Sequence, residues 1–337
     1  MSCTILVGGF FGDEGKGKII SHLSIKDKPD IVARAGVGTN AGHTVQYGGE
    51  TYKLRQIPSG FIAKNARILI GPGVLVDPNI FLSEVELTGI GDRVGIDKQC
   101  GVIEQKHIDR DKSSTHLKGK IGSTGTGCGP ANVDRVERVG IVAKEVPELK
   151  KWITDVPLEI NQALNKNARV LVESSQGTYI SLYHGTYPYC TSKDVCAAAA
   201  CSDLGIGPTR VTDVIVVFKA YTTRVGGGPL PEELSEEESK RRGWFEVATV
   251  TGRKRRSAPF NFELAKRAVF INGATQLAVT KLDILYPECK GAQTFDELPD
   301  IGKNFIRKIE EELKLPVTLI GTGPDAVETI DRRPEIG

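Results

Sequence analysis

The chain has no uninterrupted apolar run of about 18 residues, so nothing in it reads as a membrane span. Its start, MSCTILVGGFFGDEGKGK, has no basic segment ahead of an apolar one, and no signal peptide is expected. There is no C-x-x-C pair and no His/Cys cluster at zinc spacing. The seven cysteines, Cys3, Cys100, Cys128, Cys190, Cys196, Cys201 and Cys289, are odd in number. They are expected as free thiols filling small apolar gaps in a reducing compartment, with the cytoplasm as location. Charge of one sign is also lacking: 44 basic against 42 acidic residues leave a net +2. That field is too weak to argue for nucleic acid or an anionic membrane surface as partner. Without internal repeats or low-complexity linkers, residues 1–337 are expected to form one domain.

What is present is ordinary globular composition, 26% charged and 39% apolar. Short Val/Ile-rich runs flanked by Gly or Pro suit buried strands: Thr4–Val7, Asp30–Ala35, Ile68–Ile70, Arg169–Val172, Asp213–Ala220, Leu277–Val279 and Pro316–Ile320. Helical spacing recurs after Glu263 and after Phe305. The alternation predicts an α/β fold, a central largely parallel sheet flanked by helices. The stretch Pro229–Gly243, rich in Glu, Lys and Arg, reads as an exposed excursion. Ligands of open α/β sheets bind outside the carboxyl ends of the strands, where the glycine-rich segments of this chain fall.

The first such segment, Gly8-Gly-Phe-Phe-Gly-Asp-Glu-Gly-Lys-Gly-Lys18, lies between a strand and a helix, an arrangement that aims backbone N–H groups at an anion. Gly12 to Lys18 fits G-x-x-x-x-G-K, the phosphate loop of P-loop NTPases. Ile19, however, stands where Ser or Thr would hold magnesium. Another hard oxygen must do so, and Asp13 inside the loop is the candidate. A second segment, Gly36–Thr44, brings His43 forward as a candidate general acid.

Toward the other end, Thr280-Lys-Leu-Asp283 resembles the N/T-K-x-D guanine signature. A carboxylate accepts from guanine N1–H and the exocyclic amino group, a donor pair adenine lacks. Gly321-Thr-Gly-Pro324 follows the last strand and fits the same base or a plain turn. In the middle, Gly122–Pro130 is fit for a monophosphate, with Arg135 and Arg138 after it; Gln176 can donate and accept to a heterocycle. Thr249–Arg256 places four cations just after a glycine, for small anionic ligands. A regulatory GTPase is disfavoured: the hydroxyl after the phosphate-loop lysine is missing, and Asp203-Leu-Gly-Ile fails D-x-x-G. The residues alone thus point to an enzyme that binds GTP and transfers its γ-phosphoryl group to a small substrate.

Together these segments resemble adenylosuccinate synthetase. GDEGKGK (12–18), NAGHT (40–44), IPSG (57–60), IGSTG (121–125), SQGT (175–178), HGTYPYCTS (184–192), KAYTTRVGGGP (219–229), VTGRKRR (250–256), TKLD (280–283) and TGPD (322–325) follow the family's order and span nearly the whole chain. The resemblance implies that IMP, L-aspartate and GTP give adenylosuccinate, GDP and phosphate, with Mg²⁺ as cofactor, through 6-phosphoryl-IMP. It implies Asp13, His43, Lys16 and Gln176 as catalytic residues, Asp13 and the Gly42 carbonyl as metal ligands, and a homodimer in which Arg138 reaches the neighbouring subunit's IMP.

By the same resemblance, the GTP site comprises Gly12, Glu14, Gly15, Lys16, Gly17, Gly42, His43, Thr44 and Arg255, with Lys281, Asp283, Gly321, Thr322 and Gly323 around guanine. The IMP site comprises Asp13, Lys16, Asn40, Ala41, Gly42, His43, Thr124, Gln176 and Thr191, with Val225 and Arg253 near the ribose. The aspartate site comprises Thr249, Val250, Thr251, Gly252, Arg253 and Arg255. The chain departs from the common bacterial and eukaryotic pattern in shorter stretches at 140–169 and 283–316, in Lys254 for arginine, in Tyr183 for an acidic residue and in Gly321 for serine.

Overall fold

A computed structural model of the chain describes residues 2–248 and 252–336. Its centre is a ten-stranded sheet. In chain order the strands are β1 (Ser2–Gly8), β2 (Ile31–Arg34), β3 (Arg67–Ile70), β4 (Val94–Asp97), β5 (Ile153–Thr154), β6 (Arg169–Glu173), β7 (Asp213–Lys219), β8 (Gln276–Thr280), β9 (Val317–Gly321) and β10 (Thr329–Asp331). Across the sheet they run β10-β9-β8-β7-β1-β6-β2-β3-β4-β5. Every neighbouring pair is parallel except β9 with β10. All seven runs expected as strands lie in this sheet. Of the three not expected, β5 and β10 are edge strands of two and three residues, and β4, though buried throughout, reads Val-Gly-Ile-Asp, an apolar run broken by glycine and aspartate.

Strand side chains alternate between the two faces. Ile5 and Val7 of β1 join Val172, Val216 and Phe218 in one core. Leu6, one residue along, joins Leu171, Ile215 and Val217 in the other. Both faces are therefore covered, which is why the strands read as continuous apolar runs. Truncating Leu6, fully buried, to alanine costs about 2–5 kcal/mol.

Helix α1 (Lys16–Asp27) follows β1 and buries Ile19, Ile20 and Leu23. Its N-cap, Gly15, takes φ +85°, which an L side chain rarely adopts, and a Cβ there would lie 3.2 Å from the Thr280 side chain. Helix α2 (Cys128–Glu137) starts from Gly127, also left-handed. At the carboxyl edge, a small antiparallel sheet joins Thr222–Arg224, Lys254–Ala258 and Glu246–Val247. The excursion 229–243 is largely exposed but contains a short helix, Glu236–Arg241, capped by Ser235. All seven cysteines are unpaired, and all but Cys190 are buried. Among the described residues, no helix is long and apolar enough to cross a membrane.

Candidate active site

The strand order reverses beside β1: the chain runs outward to β5 on one side, then to β10 on the other. A ligand crevice is expected outside the carboxyl ends at such a point. The cavity found there has a volume of about 380 Å³. Phe11 to Asp13, Asn40 to His43, Gly122 to Thr124, Gln176, Tyr187 to Ser192, Val225, Arg253 and Arg255 line it. Thus Asp13, Asn40, Ala41, Gly42, His43, Thr124, Gln176, Thr191, Val225, Arg253 and Arg255, scattered through the sequence, meet at one place.

The phosphate loop is closed from inside by its own carboxylate. Glu14 is buried and accepts from the Phe10 N–H at 2.9 Å and the Gly12 N–H at 2.7 Å. Lys16 is also buried. Its amine donates to Glu14 at 3.0 Å, to the Gly12 carbonyl at 3.2 Å and to the Gln176 carbonyl at 2.5 Å. The side chains of Glu14 and Lys16 shape the loop rather than lining the cavity.

Asp13 stands on the same loop and does line the cavity. Thr223 Oγ1 donates to its Oδ2; Arg255 Nε lies 3.0 Å and Lys219 Nζ 3.6 Å from that oxygen. Among the described residues every contact of the carboxylate falls on Oδ2. Gly42 lines the same cavity. A carboxylate and a backbone carbonyl are hard oxygen donors, and this pair fits a divalent cation of the magnesium type.

His43 opens a β-hairpin just beyond the second glycine segment. Its Nδ1 meets the carboxylate of Glu173, the last residue of β6. Glu173 is fully buried and also accepts from Ser59 N at 2.5 Å and Ser59 Oγ at 2.8 Å; Arg34 Nη1 lies 3.6 Å away. Burial, then the Arg34 charge, hold the imidazole down at about 4 despite the carboxylate. Burial by itself would raise Glu173. His43 and Arg34, with the Ser59 hydrogen bond, outweigh it and hold the carboxyl at about 2. At neutral pH a neutral imidazole donates Nδ1–H to an ionised carboxylate, which fixes the tautomer and leaves Nε2 for the cavity.

Gln176 is buried yet sits at φ +56°, a strained setting for a non-glycine residue and one that clusters at functional sites. Its Nε2 donates to Asn40 Oδ1 at 3.0 Å, and Asn40 Nδ2 donates to Thr191 Oγ1 at 3.1 Å. Three segments are thereby tied into one polar wall. Opposite, Cys128 and Gly129 bring the N-terminus of α2 to the cavity, a setting suited to a phosphate. Arg138 lies at the far end of that helix, about 15 Å along. It is the C-cap, left-handed at φ +66°, exposed and outside the cavity. Val133, Val136 and Val139 are exposed around it.

Thr249, Val250 and Thr251 fall outside the described residues; Gly252 is exposed and left-handed. Lys281, Asp283 and Gly321 to Gly323 stand outside the cavity, at the carboxyl ends of β8 and β9. Among the described residues Asp283 Oδ1 is buried with no hydrogen-bond partner, and burial raises its carboxyl above the ordinary range. An orphaned acceptor of this kind is a docking point for donors. This corner is tied to the phosphate loop: Thr280 Oγ1 donates to the Glu14 carbonyl at 2.6 Å, and Lys18 donates to the carbonyls of Asp325 and of Glu328, the latter at 2.9 Å. A Cβ on Gly321 would press on Lys18 Cε at 2.9 Å, so glycine there makes room for that lysine.

The sequence reading missed Arg34, Glu173, Lys219, Arg224 and Glu246. A signal existed for three of them: Arg34, Glu173 and Lys219 each end an otherwise apolar strand at the carboxyl edge. Arg224 is buried and stitches Pro229, Thr186 and Tyr189 together over the Phe11 ring.

Comparison with known proteins agrees with this geometry. The family model described as adenylosuccinate synthetase matches residues 5–148 and 142–290. The adenylosuccinate synthetase of Archaeoglobus fulgidus is 56% identical over 335 residues, covering 99% of both chains. That of Methanocaldococcus jannaschii is 53% identical, covering 100% of this chain and 98% of its own. The structure of fully ligated adenylosuccinate synthetase from Plasmodium falciparum superposes with a TM-score of 0.91 at 25% identity, covering 99% of this chain and 100% of that one. The succinoaminodeoxyadenylate synthetase of cyanophage S-2L shares the fold, with a TM-score of 0.82 at 23% identity over 98% of this chain and 95% of its own.

Proposed function

The chain belongs to the adenylosuccinate synthetase family, GTP-dependent ligases that join IMP to L-aspartate on the way to AMP, and we propose that it works through 6-phosphoryl-IMP formed in the cavity beside Asp13. The family uses a divalent metal, and the reading here is magnesium. The observation that carries the proposal is the position of Asp13, which belongs to the phosphate loop and lines the cavity at once.

Asp13 takes the N1 proton of IMP, which makes O6 a nucleophile toward the γ-phosphorus of GTP. The bond from that phosphorus to the bridging oxygen breaks and GDP leaves. His43 faces the phosphates with Nε2. Approaching phosphate charge favours protonation of a ring whose Nδ1 is already committed to Glu173, so His43 meets the negative charge developing between β- and γ-phosphates. The amine of L-aspartate then attacks C6, and phosphate, a better leaving group than the inosine oxygen, departs. The Asp13 carboxylate and the Gly42 carbonyl would hold a magnesium ion, which when bound would neutralise phosphate charge.

Gln176, Asn40 and Thr191 hold IMP, with Thr124 and the α2 N-terminus at its phosphate. Arg253, Arg255 and the segment from Thr249 take the two aspartate carboxylates, and Lys281, Asp283 and Gly323 read guanine. Arg138 serves the neighbouring subunit of a homodimer, consistent with its exposure among three exposed valines. The whole chain acts as one catalytic domain in the cytoplasm.

IMP labelled with ¹⁸O at O6 tests the route. Transfer of the label to inorganic phosphate, in turnover that needs all three substrates, is expected. Unlabelled phosphate, or GTP hydrolysis independent of IMP and aspartate, overturns it.

A further inference from the structure

Behind Arg255, away from the cavity, lies a half-buried carboxylate that the reaction does not touch. Glu246 accepts from Tyr221 OH at 2.5 Å and from Lys219 Nζ at 2.9 Å, and Arg255 Nη1 donates to the same oxygen as Lys219. Tyr221 and Lys219 are both almost fully buried, and the Tyr221 ring stacks on Trp244 with centroids 4.8 Å apart. Lys219 also donates to Thr223 Oγ1 at 2.8 Å. None of Lys219, Tyr221 or Glu246 lines the cavity; Arg255 does.

The backbone makes this arrangement local and firm. Glu246 and Arg255 are directly paired across an antiparallel ladder, as are Val247 and Lys254. Past them, Ala248 N donates to the Arg253 carbonyl and Gly252 N to the Ala248 carbonyl, each at 2.8 Å. Glu246 therefore stands at the root of the hairpin whose far side carries Arg253 and Arg255. A guanidinium is a planar fork with two edges. Here Nη1 is committed to Glu246, while Nε lies 3.0 Å from Asp13. Fixing one edge from behind removes rotamer freedom that a long side chain would otherwise lose on binding.

We propose that Glu246 is a positioning residue, which with Lys219 and Tyr221 aims Arg255 at the L-aspartate carboxylate and so sets the affinity for that substrate. This rests on the reading of Arg255 as an aspartate-binding residue. Lys219 is the counter-ion that offsets the partial desolvation of the carboxylate there, and Tyr221 orients it. Arg255 is also expected at GTP and lies 3.0 Å from Asp13, so the effect of the cluster is expected to be largest on aspartate rather than exclusive to it.

The test is a double-mutant cycle with aspartate KM as readout. Glu246→Gln keeps the shape and loses the charge, and aspartate KM should rise about tenfold or more, a larger rise than in GTP or IMP KM. In an Arg255→Leu background the same change should raise aspartate KM no further. An unchanged KM, or equal rises in both backgrounds, overturns the proposal. If Glu246→Gln does not fold, Tyr221→Phe decides: a smaller rise that vanishes beside Arg255→Leu supports the proposal, and no rise overturns it. If Arg255→Leu alone leaves aspartate KM unchanged, the reading of Arg255 fails first, and the proposal falls with it for that separate reason.

Discussion

His43 turns its Nδ1 onto the carboxylate of Glu173, and that carboxylate is fully buried between Arg34 and Ser59. The pair fixes which ring nitrogen meets the phosphates. Glu173→Gln should lower kcat by about 10²-fold or more, the scale of proton-transfer and charge-stabilising groups, with GTP KM nearly unchanged. It also leaves Arg34 buried without a charged partner, so stability should drop by about 3–5 kcal/mol. Rates taken well below the melting temperature separate the two effects. A kcat within threefold of the parent would remove Glu173 from the mechanism.

Asp13→Asn keeps the size of the side chain and removes both the base and the anionic metal ligand. Turnover should fall by about 10²–10⁴-fold or more. Turnover within tenfold of the parent would show that another group takes the N1 proton.

Asp283 Oδ1 has no hydrogen-bond partner among the described residues, which leaves an acceptor for guanine on the proposed reading. In Asp283→Asn one acceptor becomes a donor, which suits xanthine, where an oxygen replaces the exocyclic amine. GTP use should weaken by about 1–3 kcal/mol, and XTP use should appear. Steady-state kinetics with the two nucleotides measures the exchange; an unchanged preference for GTP would dismiss Asp283 as the base reader.

Lys18 gives the nucleotide site a pH dependence. Burial lowers its amine from 10.5 to about 8, against the pull of Glu328 and Asp283. Because the folded value lies below the unfolded one, the native state carries the lysine charge below about pH 8 and loses it above, while the unfolded chain keeps it to about 10.5. Between those values stability from this group rises with pH. The bonds from Lys18 to the carbonyls of Asp325 and Glu328 meanwhile lose their charge assistance. GTP KM should therefore climb above pH 8. In Lys18→Met it should be high and flat, and the same inflection in both proteins would exclude Lys18 as its source.

Arg138 and Asp13 should complement each other across subunits. Asp13→Ala and Arg138→Leu are each expected to be inactive. In a two-fold dimer with composite sites, a mixed dimer has one doubly damaged site and one intact site. Random mixing makes about half the dimers mixed, so equal co-expression should restore about a quarter of the parent activity. No recovery in tandem-purified mixed dimers would confine both residues to one subunit or take Arg138 out of the site.

The strands around β1 and the glycine segments were readable because each is local: an apolar run has a length and a composition, and a phosphate loop has a spacing. Asp13 was readable for the same reason, since it replaces inside one loop a hydroxyl missing from that loop. Glu173 and Glu246 were not. Each is a single carboxylate whose meaning comes from residues 130 or 9 positions away in the chain, His43 and Arg255. Nor did spacing reveal that Lys16 would donate both to Glu14 and to the Gln176 carbonyl. Arg138 follows the third glycine segment in sequence, but it caps the end of α2 in a left-handed turn, a change of direction that composition does not encode.

The guanine corner grows from the end of β8 and the phosphate loop from the end of β1, with β7 between them. Two strand spacings, about 10 Å in all, thus separate the two anchor points. The sheet acts as a caliper, set by backbone hydrogen bonds that no side-chain substitution resets. On the proposed placement of guanine at Asp283, the separation of base and phosphate loop is therefore held by three strands whose inner residues are almost all buried.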